Sequence, residues 1–111
     1  MRRYEVSGGD DGPYGPTFGP VYVFELAVIE ASEGVSQLVQ LEQSIDIDDR
    51  HIEYLLLSPR YKGDSINKLQ EKGCIVGISR VLPGRVEKIR EGEIANNVEY
   101  FAVGKSRRLA A

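Results

Sequence analysis

Two alternating apolar segments on either side of a four-residue break constrain the fold of this chain more than any other feature. Val21-Tyr-Val-Phe-Glu-Leu-Ala-Val-Ile-Glu30 is rich in β-branched and aromatic residues and apolar at both alternate positions. That is the pattern of a central strand covered on two sides. Strict alternation places Val21, Val23, Ala27 and Ile29 on one face and Tyr22, Phe24, Leu26 and Val28 on the other. Ala31-Ser32-Glu33-Gly34 has the length of a hairpin turn and ends on glycine. Beyond it, Val39, Leu41, Ile45 and Ile47 alternate with Gln40, Glu42, Ser44, Asp46 and Asp48, interrupted only by Gln43. Residues 21–47 therefore predict a long antiparallel hairpin whose second strand has a solvent face.

The rest of the chain supplies further strands and one helix. A short strand is expected near Tyr4. Residues 51–58 end at Ser58-Pro59, and a residue before proline favours extended geometry, so this segment reads as a strand. Asp64 suits an N-cap, Ser65 to Lys72 a helix with Ile66 and Leu69 on one face, and Gly73 its stop. Residues 74–82 and 98–103 read as strands. Residues 85–97 give no period, with Val86, Ile89 and Ile94 as sparse anchors.

The predicted fold is mainly β (α+β): a small antiparallel barrel or strongly curved sheet of five to six strands with one short helix. The helix between the third and fourth main strands gives an element order like that of OB-type barrels, an analogy of order only. One domain of residues 1–111 is expected, with 7–20 a Gly/Pro-rich loop and 104–111 a basic tail. Such a chain buries about 65% of its unfolded surface, enough for one core without staples.

Charge is unevenly placed. The net charge of −3 resolves into three basic against ten acidic side chains over residues 1–50, four against three over 51–79, and seven against four over 80–111. The single cysteine, Cys74, forms no internal disulfide, which points to a reducing compartment. No run of about 18 apolar residues offers a membrane span, and Met1-Arg2-Arg3-Tyr4-Glu5 lacks the apolar segment of a secretory signal. A cytoplasmic location is the expectation.

Catalytic signals are few. No Gly-x-x-x-x-Gly-Lys-Ser/Thr, Gly-x-Gly-x-x-Gly or Gly-x-Ser-x-Gly occurs, so no catalytic residue is assigned and no cofactor is expected. Asp46, Asp48 and His51 form a weak metal-like cluster at a strand end, where acidic residues are ordinarily solvated turn formers. Cys74 reads as a small buried hydrophobe, since no helix N-terminus follows it to favour the thiolate.

Binding signals are stronger. Tyr14 and Phe18 put aromatics in the Gly/Pro loop, where a spacer seldom carries them. Arg60, Tyr61 and Lys62 place an aromatic between two cations, a pattern suited to a base or an anionic ring. Lys105, Arg107 and Arg108 lie near Tyr100 and Phe101, and Arg80, Arg85, Lys88 and Arg90 make a third basic group. These nine cations would share one basic face if the fold brings them together. The leading expectation is a non-catalytic interaction or assembly module whose partner is a second copy or another protein. Its basis is the two-sided apolar strand, which leaves part of residues 14–30 as an interface. The alternative is an OB-like binder of single-stranded nucleic acid or another anionic ligand, and a metal-assisted enzyme using Asp46–His51 ranks last.

Overall fold

The computed structural model describes residues 2–9, 17–31, 34–59, 66 and 70–109. Six strands, β1 (Arg3–Gly8), β2 (Phe18–Ala31), β3 (Gly34–Ile47), β4 (Arg50–Pro59), β5 (Cys74–Val81) and β6 (Val98–Arg108), form a closed barrel in sequence order. Every pairing is antiparallel, and β1 closes the ring against β6 through Tyr4↔Arg108 to Gly8↔Gly104. The expected barrel is therefore present. Its path is up-and-down, each strand beside its neighbours in sequence, so the likeness to the Greek-key OB barrel ends with element order.

The predicted hairpin is β2–β3, with Ala31↔Gly34 next to the turn and Val23↔Leu41 at the far end. Its faces differ from strict alternation. The register shifts between Glu25 and Ala27, a bulge that reverses the inward parity of β2. Val21 and Val23 face the barrel interior, whereas Ala27 and Ile29 belong to a second apolar layer outside it. β3 carries a larger irregularity. From Gln40↔Tyr54 to Ile45↔Ile52 it advances five residues while β4 advances two. Leu41 and Ile45 both stay turned toward the core, and Gln43, the odd residue in the alternation, lies in the bulge. Asp48 and Asp49, with φ of 49° and 64°, make the two-residue turn to β4, a left-handed pair that aspartate tolerates.

The interior core comprises Tyr4, Val6, Val23, Val39, Leu41, Ile52, Leu55, Leu57, Ile66, Val76, Ile78 and Ala102. The outer layer is Ile29, Leu38, Leu56 and Val81, roofed by Ile89 and partly by Val86, Ile94 and Val98. Ile89 and Val86 sit on a helix absent from the sequence expectation, α1 (Val86–Arg90). Glu87 in its first turn and Lys88 and Arg90 in its last agree with the helix dipole. Five residues with two apolar anchors give no readable period, which is why 85–97 looked featureless.

Of the expected 65–72 helix, residues 65 and 67–69 lie outside the described residues. What is described fits. The Gln70 N–H donates to the Ile66 carbonyl at 3.1 Å, the spacing of an α-helical turn, and Gly73 follows with φ of 86°. Residues 7–8 and 18–20 of the expected loop belong to β1 and β2, and residues 104–108 of the expected tail to β6.

Two glycines carry steric demands of different kinds. Gly73 needs its left-handed backbone. Gly104 needs empty space, because a Cβ there meets the Ser7 carbonyl oxygen, the Gly8 Cα and the Ile78 side chain. Gly104→Ala should cost about 1–3 kcal/mol, the range of core overpacking. Gly73→Val should cost on the order of 1 kcal/mol. Denaturant titration of both variants checks the two figures, and an unchanged midpoint for Gly104→Ala would contradict the close approach of β1 and β6.

Candidate functional site

The barrel lumen is filled by side chains, as is usual for small barrels, so contacts with other molecules fall to the outside. Even the polar interior is committed. Gln37 Nε2 donates to Glu25 Oε1 at 3.0 Å, and Gln70 Nε2 donates to Gln37 Oε1 at 2.8 Å and to Ser106 Oγ at 2.7 Å. This chain ties the helical turn at Gln70 to β3 and β6. Gln37 and Gln70 are fully buried, and the Gln70 Oε1 has no protein donor.

One outer side of the barrel is roofed by α1 and the segment after it. The side formed by β2, β1, β6 and β5 carries no second layer among the described residues. Its side chains run in cross-strand rows. Tyr22 pairs with Glu5, and Glu5 with Arg107. Ser7 pairs with Lys105, and Lys105 with Ile75. Tyr22 is 38% exposed, Ile75 50% and Tyr100 60%, all on this face. Glu5, Ser7, Lys72, Cys74, Lys105 and Arg107 line a groove of about 370 Å³ within it. Arg107 lies 3.6 Å from Glu5, a loose and exposed ion pair. Arg3 stacks over the Tyr22 ring at 4.6 Å and donates to Glu42 on β3 at 2.8 Å.

The sequence candidates separate on this frame. Lys105 and Arg107 alternate onto the bare face. Arg108, opposite the core residue Tyr4, emerges at the barrel end instead. Phe18 is half-buried against the interior core, so its ring seals the barrel rather than standing out as a loop aromatic. Tyr14, Arg60, Tyr61 and Lys62 lie outside the described residues. Among the described cations of the third basic group, three lie against carboxylates. Arg80 turns inward toward Glu99 at 3.8 Å, and Arg50 approaches the same carboxylate at 2.6 Å. Lys88 and Arg90 face Glu93 and Glu87 at 3.8 and 3.7 Å. Acidic neighbours close in space thus offset the charge of Arg80, Lys88 and Arg90, three of the four cations of a group that is basic in linear order.

Asp46 and His51 are cross-strand partners beside the β3–β4 turn, 2.9 Å apart, and Glu53 reaches the other ring nitrogen at 3.2 Å. Asp48 occupies the turn itself. No group of three such side chains among the described residues is arranged to hold a metal ion. With a carboxylate at each nitrogen, the imidazolium is the form that donates to both. The Asp46 hydrogen bond, opposed by desolvation and aided by Glu53, raises the His51 pKa above its ordinary 6.5. Burial likewise raises the Cys74 thiol, which keeps it protonated and a poor nucleophile.

Sequence reading missed Ser7, Lys72 and Ile75 as neighbours of Lys105. The alternations Glu5-Val6-Ser7 and Lys105-Ser106-Arg107 hold the signal, but only the β1–β6 pairing joins them. No family model, curated protein or solved structure matches this chain.

Two outcomes are expected from these geometries. By NMR titration His51 should show a pKa above 6.5, falling toward 6.5 in Asp46→Asn. Because the folded value is raised, the clip stabilises fully below pH 6.5 and its contribution is lost as pH rises through the folded pKa. The stability gap between wild type and Asp46→Asn should therefore be wider at pH 5.5 than at pH 9. Cys74 should alkylate with iodoacetamide more slowly at pH 7 than a free-cysteine peptide, and equal rates would contradict its burial.

Proposed function

We propose that this barrel is a non-catalytic protein–protein interaction and assembly module that pairs with a second copy of itself through the bare face of β2, β1, β6 and β5. The supporting observation is the asymmetry of its apolar layers. α1 roofs one outer side, while the other presents Tyr22, Ile75 and Tyr100 to solvent on one sheet surface. Exposed apolar side chains grouped in this way commonly mark contact surfaces. Glu5, Arg107, Lys105 and Arg3 put both charge signs in adjacent rows, so the face is suited to a copy of itself across a two-fold axis. Tyr22 carries part of the expected 14–30 interface into this surface. Ile29 is already buried in the outer layer and Ala27 packs against it. The half-buried, protonated thiol suits a reducing, cytoplasmic setting.

A second reading has its own observation. Lys72, Lys105 and Arg107 converge on the groove, with Tyr100 exposed on the same face. Cations beside exposed aromatics suit a single-stranded nucleic acid, with phosphates on the former and stacked bases on the latter. Glu5 within the groove and the net charge of −3 weigh against it.

Light scattering at micromolar concentration distinguishes the two. Self-association predicts twice the 12.3 kDa monomer mass, returned to monomer by Ile75→Asp, a surface change that spares both cores. A wild-type mass of 12.3 kDa throughout that range would refute it. Nucleic-acid binding predicts affinity for single-stranded DNA that falls steeply with salt and weakens in Lys105→Ala and Arg107→Ala.

A further inference from the structure

The barrel wall has an opening between β2 and β3. Their ladder runs from Ala31↔Gly34 only as far as Val23↔Leu41. Above that point Val21 and Tyr22 of β2 pair with β1, and residues 42–44 of β3 pair with neither neighbouring strand among the described residues. A cleft of about 650 Å³ lies between the two strands, lined by Pro20, Val21, Tyr22, Glu42, Gln43, Ser44 and Ile45. At its lower end Arg3 crosses from β1 over Tyr22 to grip Glu42, marking where the strands part.

Backbone chemistry fixes the class of molecule that suits this cleft. Two strand edges facing one gap offer N–H and C=O groups in alternation along their length, a template matched by another extended polypeptide. Pro20 contributes a carbonyl and no donor. The side chains set its pattern. Val21 and Ile45 turn inward against the barrel core, so a strand between them meets apolar surface on its inner side. On the outer side stand Tyr22 and Glu42, and the adjoining hairpin adds Asp46, Asp48, Asp49 and Glu53 against Arg50 and His51. The complement is a segment with apolar residues alternating with basic ones.

We propose that the β2–β3 cleft accepts an extended segment of a partner polypeptide, apolar inward and basic outward, as an additional strand of the barrel. This binding uses the backbone edges of β2 and β3, which self-association through the bare face does not require, although Tyr22 borders both surfaces.

The test uses the full chain, its mass known from light scattering, and the acetylated, amidated heptapeptide Lys-Val-Lys-Val-Lys-Val-Lys as probe. Amide exchange is followed by NMR at Glu42, Gln43 and Ser44. In the free protein these amides should exchange as unprotected groups. With peptide at millimolar concentration at least one of them should slow tenfold or more, while amides of β5 and β6 stay unchanged. The same peptide with its central valine replaced by proline should bind at least tenfold more weakly, since it loses a donor and the strand geometry. Glu42→Lys should weaken the parent peptide as well. Protection of residues 42–44 in the free protein, absence of slowing at millimolar peptide, or equal binding of the proline peptide would each overturn the proposal.

Discussion

Closure of β1 on β6 is the constraint on which the rest of the molecule depends. An open six-stranded sheet would leave two backbone edges and the interior core exposed to water. The contact demands unusually close backbones, and Gly104 supplies the space by presenting no Cβ to Ser7, Gly8 or Ile78. Closure also builds the bare face, because Glu5 meets Arg107 and Ser7 meets Lys105 only across this junction. Fold and candidate surface therefore share one steric requirement.

The irregularities divide the labour between inside and outside. A regular strand as long as β2 would send one alternate set of side chains inward along its whole length. The bulge before Ala27 breaks that set, so a single strand feeds the interior with Val23 and the outer layer with Ile29. The larger bulge in β3 does the opposite service. It holds Leu41 and Ile45 on the core while withdrawing the backbone between them from both neighbours. At the other end of the barrel, Gln70 spends its amide on Gln37 and Ser106 and its carbonyl on Gly73 and Arg108. Buried polar groups placed in this way fix the position of the helical turn because each is costly to leave without a partner.

Much of this architecture was legible in the chain. β2 and β3, the strand ending at Pro59 and the left-handed Gly73 all follow from alternation, proline sterics and the turn chemistry of glycine. Bulges were not legible. The extra residue Leu26 lies in a segment where Phe24, Ala27 and Val28 are also apolar, so its own character does not report that the face has switched. Gln43 was the visible trace of the other bulge, a polar residue at a position the pattern reserved for an apolar one. The short α1 escaped because Val86 and Ile89 alone cannot establish a period. The candidate face was the least legible, since Ser7 and Lys105 are nearly a hundred positions apart and only a closed ring makes them neighbours. The charge of the third basic group was illegible for the converse reason: Glu87, Glu93 and Glu99 lie among those cations, and folding sets them against Arg90, Lys88 and Arg80.

The pairing of β1 with β6 also brings the two described ends of the chain together, where the Leu109 N–H donates to the Arg3 carbonyl at 2.9 Å. With every other strand already beside its sequence neighbours, the path of the backbone is a cycle of hairpins cut at one place. Such a cycle has no privileged point of entry. The cut can be moved, by joining the ends through a short linker and opening the chain at the exposed Pro83-Gly84 turn, without altering any strand's neighbours. The order of residues along the polymer is then one of several orders compatible with the same barrel.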